Sequence, residues 1–111
     1  MKAETPKQLL MGMKSLYDGG LKHCRWTSYA NKQGRIICDP KKESPTSACM
    51  LGCFYLIDAD VDVRQETYDI IEQKLILSHR CKEGKMSFWN DDGKITKQDV
   101  VDFLQEIIEV M

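Results

Sequence analysis

The hydrophobic positions near both ends of the chain repeat at helical spacing. Apolar residues of the segment 6–18 fall on one face behind a Thr5-Pro6 start, and two glycines follow it. Near the other end, Thr96 and Asp99 are spaced as in a capping box, and the apolar residues after them recur at i, i+4 and i+7. The pattern predicts a first helix over 6–18 and a last helix that begins at Thr96.

Residues 23–29 alternate in polarity instead, and residues 35–38 form a short β-branched run. The four residues 31–34, which end in glycine, suit the turn of a β-hairpin between them. Because two strands alone are only marginally stable, one of their large side chains should pack on the helices. The candidates for that contact are Trp26, Ile36 and Ile37.

Two more helices are predicted in the middle of the chain. Residues 39–46 are polar and carry prolines, so they form a loop that leads to a second helix from Pro45 or Ser47 to Ile57. That helix is apolar on nearly all sides, and Gly52 within it costs about 1 kcal/mol relative to alanine, which a close approach by another element would explain.

A third helix is predicted over 62–79, with Asp62 and Gln65 spaced as a capping box. The segments 82–85 and 87–93 are expected to be a turn and an irregular stretch. With 111 residues and 42% hydrophobic residues, the chain suits one domain, 1–111. We expect a mostly helical α+β fold with four helices and one hairpin, in the order α-ββ-α-α-α.

The charges are balanced overall but not along the chain. Sixteen basic and 17 acidic side chains give −1, which disfavours a dedicated nucleic-acid binder. Residues 1–50 carry nine basic and four acidic side chains, hence +5, and the remainder carries −6. The acidic run is either a solvated helix start or an anionic surface that binds a basic protein. Its members are Asp58, Asp60, Asp62, Glu66, Asp69 and Glu72.

The location is expected to be cytoplasmic. No run approaches the roughly 18 apolar residues of a membrane span, and the first six residues lack the apolar centre of a secretion signal. The five cysteines are an odd number, so they are predicted to be reduced thiols rather than a disulfide framework.

The thiols leave a metal site as an alternative. Cys49 and Cys53 are spaced to share a helix face, and His79 and Cys81 lie two apart, so four zinc ligands exist. Structural zinc sites usually include a short loop between cysteines, however, and reduced cysteine is mostly buried. We therefore expect core packing and no cofactor. Two histidines and five cysteines give many accidental pairs, so we do not expect Cys81 and His79 to form a catalytic pair.

The segment near the C-terminus lacks the ligands that a calcium-binding EF-hand loop requires. If Gly93 takes position six of an EF-hand loop, Phe88 falls at position one, where a carboxylate is required. Asp99 falls at position twelve, where its short side chain reaches bidentate geometry less readily than glutamate. An Asx-type turn before the last helix is the simpler interpretation.

Two segments, SACMLGCFYLI and FWNDDGKITKQDVVDFLQEIIE, resemble a family of small bacterial and phage-encoded proteins of unknown function. Members combine a Cys-x-x-Gly helix with a Trp-Asn-Asp turn and a closing amphipathic helix. Lys94 departs from the arginine frequent in that family, and Cys53 is additional. The resemblance implies a bacterial or phage source and a protein that acts by binding another protein. The matching residues are Cys49, Gly52, Trp89, Asn90, Asp91 and Gly93.

The Trp-Asn-Asp turn has two interpretations. Asn90 and Asp91 can bond backbone amides around a turn while Trp89 buries its indole and locks the last helix onto the second and third. Alternatively, the three side chains line a pocket. We expect a non-catalytic accessory or regulatory protein with a protein partner, of which a phage inhibitor of a host defence complex would be one instance. The residues expected to contact that partner are Trp89, Asn90, Asp91, Asp58, Asp60 and Asp62.

Overall fold

The computed structural model describes residues 2–111 and shows a mostly helical α+β fold. Within that range there are five helices and three two-residue strands, where four helices and a hairpin were expected. The helices are α1 (Pro6–Asp18), α2 (Met50–Leu56), α3 (Val61–Leu77), α4 (Met86–Asn90) and α5 (Lys97–Glu109), and the strands are β1 (Lys22–His23), β2 (Tyr29–Ala30) and β3 (Ser47–Ala48).

The first and last helices have the predicted starts, because local capping fixes them. The side-chain oxygen of Thr5 accepts a hydrogen bond from Gln8 N–H (3.2 Å) at the start of α1. Thr96 and Asp99 form the complete capping box at the start of α5. Helix α1 buries its apolar face and packs against both α3 and α5, so it lies at the centre of the core.

The predicted hairpin is wrong. Strand β3 lies between the other two strands, parallel to β1 and antiparallel to β2. Residues 24–28 leave the sheet as a loop, and what remains of the hairpin is one bridge, between Ala30, which follows the first predicted strand, and Ile36 of the second. Of the three candidate core residues, Ile37 is buried, whereas Trp26 and Ile36 are exposed.

Helix α2 begins later than predicted because Ser47–Ala48 belongs to β3. Its N-cap is Cys49, whose sulfur accepts a hydrogen bond from Gly52 N–H (3.3 Å). The close approach expected at Gly52 is confirmed: a Cβ atom there would lie 2.3 Å from the carbonyl oxygen of Ser28.

Helix α3 begins at Val61 rather than at residue 62, and the predicted capping box of Asp62 and Gln65 is wrong. Asp60 occupies the N-cap position without a side-chain hydrogen bond, and Gln65 donates to Asp69 one turn further along the helix. Arg64 of the same turn donates to two carbonyl oxygens at the end of α2, so it joins the two helices.

The segment 87–93 was predicted to be irregular, but its first half belongs to the short helix α4. Met86, Trp89 and Asn90 face inward, and the indole of Trp89 lies 5.0 Å from the ring of Phe103 between centroids. Aromatic burial therefore anchors α4 against α5. No helix within residues 2–111 is long and apolar enough to cross a membrane.

Candidate protein-binding surface

Asn90 is a fully buried polar residue at the junction of three segments. Its carbonyl oxygen accepts hydrogen bonds from Met50 N–H (2.8 Å) and from Nε2 of His23 (2.6 Å). Its amide donates to the carbonyl oxygen of Cys24 (3.1 Å) and to the carboxylate of Asp91 (3.0 Å). Both donors and both lone pairs of the side chain are therefore used, which holds α4 to the start of α2 and to the end of β1.

The same junction fixes the state of the His23 side chain. Because Asn90 Oδ1 can only accept, Nε2 of His23 must carry a proton. Burial lowers the pKa of His23, although the bond to Asn90 works in the opposite direction. At neutral pH this lowered pKa favours the neutral tautomer of His23 with its proton on Nε2.

Residues 24–28, which we call the Trp26 loop, are fixed to the segment that follows α4. The carboxylate of Asp91 accepts from Trp26 N–H (2.9 Å). Arg25 donates to the carbonyl oxygens of Asp92 (3.3 Å) and Ile95. These bonds attach the loop at two successive residues, Arg25 and Trp26, to the segment 91–95.

Trp26 itself is 80% exposed and has a backbone φ of 69°. Left-handed backbone is strained for a large side chain and persists only where the surroundings impose it, often at functional positions. A second exposed aromatic ring belongs to the helix that ends at the Trp26 contact: Phe88 is 61% exposed on α4, three residues before Asp91, the C-cap residue that bonds Trp26. The Trp26 loop and Phe88 thus present two large apolar side chains to solvent.

The three residues of the Trp-Asn-Asp turn lie beneath this surface. Trp89 and Asn90 are buried, and Asp91 is half-buried with its carboxylate engaged by Trp26 and Asn90. Their positions suit a supporting role for the Trp26 loop. The sequence predicts that the turn residues bond the backbone, but it does not predict that Trp26 and Phe88 are exposed. The pattern of residues around each of them does not indicate whether its side chain is exposed.

The three acidic residues that were predicted to contact a partner do not form one cluster. Asp60 pairs with Lys2 (2.5 Å) at the start of α3, and Asp58 lies in the connection before it, beside a separate apolar hollow. Asp62 is exposed in the first turn of α3, where negative charge is favourable. Of the three residues, only Asp62 lies within helix α3, on its exposed side.

The four alternative metal ligands are also dispersed. Cys49 caps α2 and Cys53 contacts the carbonyl oxygen of Met13, whereas His79 is exposed after α3 and Cys81 lies near Lys85. Across residues 2–111 no three side chains of His, Cys, Asp or Glu are grouped to hold a metal ion. The residues of the calcium alternative are engaged elsewhere, since Phe88 is part of α4 and Asp99 of a capping box.

Burial keeps the two α2 thiols protonated. It raises the pKa of Cys49, and it raises the pKa of Cys53 to about 12. Since the thiolate is the nucleophile and the metal ligand, neither sulfur is poised for such chemistry at neutral pH.

No protein-family model, curated protein or solved structure matches the chain. Its function is therefore inferred from its own residues and their arrangement.

Proposed function

We propose that this protein is a non-catalytic accessory protein that binds another protein through the Trp26 loop and Phe88. The observation that carries the proposal is the exposure of Trp26 on a loop whose backbone is fixed by Asp91 and by Arg25. Tryptophan is enriched among the residues that dominate binding energy at protein interfaces.

A fixed loop favours binding for an entropic reason. Ordering a flexible loop upon association reduces affinity, whereas a loop that is already held in place avoids that loss. The buried Asn90 network supplies this rigidity, and Trp89 fixes α4 in the core beneath it. In this proposal the three turn residues are positioning residues, and the partner contacts Trp26 and Phe88.

The class of partner follows from the character of the surface. Two exposed aromatic rings next to charged side chains suit a protein partner with an apolar pocket and a polar rim. A phage-encoded inhibitor that blocks a host defence complex would act in this way. That instance extends the resemblance of the two motifs to small bacterial and phage-encoded proteins.

Site-specific photo-crosslinking tests the proposal. A photoreactive phenylalanine analogue is placed at position 26, at position 88 and, as the control, at the exposed position 36, and each variant is irradiated in a lysate of the source organism. We expect the same discrete protein adduct from positions 26 and 88 and none from position 36. The adduct is identified by mass spectrometry.

The identified protein then allows a direct measurement of affinity. Trp26→Ala should weaken binding by at least about thirtyfold, since truncation of an interfacial tryptophan commonly costs 2 kcal/mol or more. Val61→Ala removes another exposed apolar side chain and should leave the affinity within about twofold. Equal binding by Trp26→Ala and the unmodified protein would refute the proposal.

A further inference from the structure

A second apolar surface lies on the opposite end of α5 from the Trp26 loop. Helices α3 and α5 leave a groove of about 460 Å³ between them, which we call the α3–α5 groove. Two of its apolar side chains are largely open to solvent: Leu77 is 73% exposed and Val110 is 77% exposed. Contiguous exposed apolar residues mark interaction surfaces more often than single ones do. The apolar lining consists of Ile70, Leu77, Ile107, Val110 and Met111.

One edge of the groove is acidic. Glu66 and Asp69 line it from α3, and Asp62 lies one turn earlier on the same face because residues 62, 66 and 69 are spaced at i, i+4 and i+7. None of these three carboxylates forms an ion pair within residues 2–111. Lys74 is the one basic residue among those described that line the groove.

We propose that the α3–α5 groove binds a basic amphipathic helix of a partner protein. The apolar face of that helix would occupy the groove, and its lysine or arginine side chains would face the acidic edge. The stretch of α3 from Glu66 to Leu77 is about 16 Å long at 1.5 Å per residue, which matches three turns of a bound helix.

Charge favours this occupant over a second copy of the chain. Two copies joined groove to groove would each contribute the same acidic edge, whereas a basic helix would neutralise unpaired carboxylates. The proposal is independent of the Trp26 loop, which is held by residues 91–95 before α5.

The test uses a synthetic helix as the probe. A fluorescein-labelled 18-residue peptide carries leucine at i, i+3, i+4 and i+7 and lysine elsewhere, and its control carries glutamate in place of every lysine. Fluorescence anisotropy should show that the lysine peptide binds at least about tenfold more tightly than the glutamate peptide, with a difference that shrinks in high salt.

Four variants locate the binding surface. The double variant Leu77→Ser/Val110→Ser should weaken lysine-peptide binding at least about tenfold, while Val61→Ser, equally exposed outside the groove, should leave it unchanged. Glu66→Lys/Asp69→Lys should also weaken it, while Asp102→Lys, on the exposed face of α5, should have little effect. If neither groove variant weakened the binding of the lysine peptide, the proposal would be overturned.

Two further measurements distinguish a partner helix from a second copy of the chain, and binding at the α3–α5 groove from binding at the Trp26 loop. Sedimentation velocity should show a monomer at micromolar concentration, and a dimer that Leu77→Ser/Val110→Ser abolishes would assign the groove to self-association and overturn the proposal. Trp26→Ala should bind the lysine peptide normally. The groove proposal and the Trp26 proposal can therefore fail separately.

Discussion

The pair Cys49 and Gly52 has a purely geometric reason to be spaced as it is. The carbonyl oxygen of Ser28 accepts from Cys49 N–H (3.0 Å), and the same oxygen lies where a side chain at position 52 would begin. The sulfur of Cys49 meanwhile accepts from Gly52 N–H. One carbonyl group from the Trp26 loop thus binds the backbone at the start of α2 and leaves no room for a side chain at position 52.

This geometry predicts that Gly52→Ala destabilises the fold despite alanine's higher helix propensity. Alanine gains about 1 kcal/mol in a helix interior. A Cβ atom 2.3 Å from a backbone oxygen forces the loop and helix apart, and we expect a net loss of about 2 kcal/mol or more in the free energy of unfolding. Urea denaturation followed by circular dichroism measures it.

Gly93 provides the matched control for this substitution. A Cβ atom at position 93 would have no neighbour within 4 Å, and its backbone does not require glycine. Gly93→Ala should therefore change the stability by less than about 0.5 kcal/mol. If the Gly52→Ala protein were as stable as the Gly93→Ala protein, the backbone at Ser28 would move aside at little cost. The spacing of Cys49 and Gly52 would then have another explanation.

At the scale of whole elements, the sequence predicts what local interactions determine. Helices α1 and α5 begin where their capping threonines and apolar periodicity place them. The sheet could not be predicted from local pattern, because β3 pairs with residues that lie 17 or more positions away in sequence. Strand β3 forms the pairing with β2 that the segment 35–38 was predicted to form. Helix α4 has five residues and a Lys85 N-cap without a side-chain bond, so it leaves too short a pattern.

The candidate site was predictable to the same extent. Asn90 and Asp91 were expected to bond backbone amides, and they do, but across to Met50 and Trp26 rather than within their own turn. Trp26 was one of three candidates, with Ile36 and Ile37, to pack on the helices, because two strands alone are only marginally stable. Its exposure results from contacts made 65 residues away in sequence, which no local pattern encodes.

The junction of α4, α2 and the Trp26 loop predicts a large effect for Asn90→Ala. Removal of the buried amide leaves Met50 N–H and the carbonyl oxygen of Cys24 without partners, and we expect a loss of about 3 kcal/mol or more. Asp91→Ala, at a half-buried position, should lose only about 1 kcal/mol. Thermal and urea unfolding measure both variants.

Asn31→Ala is the control for the removal of an asparagine. Asn31 also accepts two backbone hydrogen bonds, from Gln33 and Arg35, but in an exposed turn where water replaces the lost oxygen. Its loss should stay below about 1.5 kcal/mol. If Asn90→Ala were no more destabilising than Asn31→Ala, Asn90 would not be the lock of the junction, and the pocket interpretation of the Trp-Asn-Asp turn would gain support.

On the scale of the whole molecule, the five free thiols report how the fold opens. Cys38 is exposed and Cys24 is partly buried, whereas Cys49, Cys53 and Cys81 are buried. The raised pKa values of Cys49 and Cys53 keep those two protonated in the folded protein. The stability associated with these two groups is therefore fully present below the pKa of an unfolded thiol and is lost as the pH rises through the folded values.

We predict that iodoacetamide at pH 8 labels Cys38 at the rate of a free thiol and labels Cys49 and Cys53 at least about a hundredfold more slowly. Mass spectrometry of the digested protein over time gives the rate at each site. In denaturing urea all five sites should react at similar rates. Cys81 belongs to the slow group because it is buried, and rapid labelling there would indicate an activated thiol instead.

The destabilised variants show which opening event exposes the slow thiols. If Cys49 and Cys53 react only after global unfolding, Gly52→Ala and Asn90→Ala should accelerate both sites by the same factor as their loss of stability, about thirtyfold for 2 kcal/mol. Acceleration at Cys49 alone would show that the start of α2 opens separately. That local opening would release the Ser28 contact and the Asn90 bond to Met50 together, so the Trp26 loop would keep its bonds to residues 90–95 but lose its attachment to α2 without unfolding of the core.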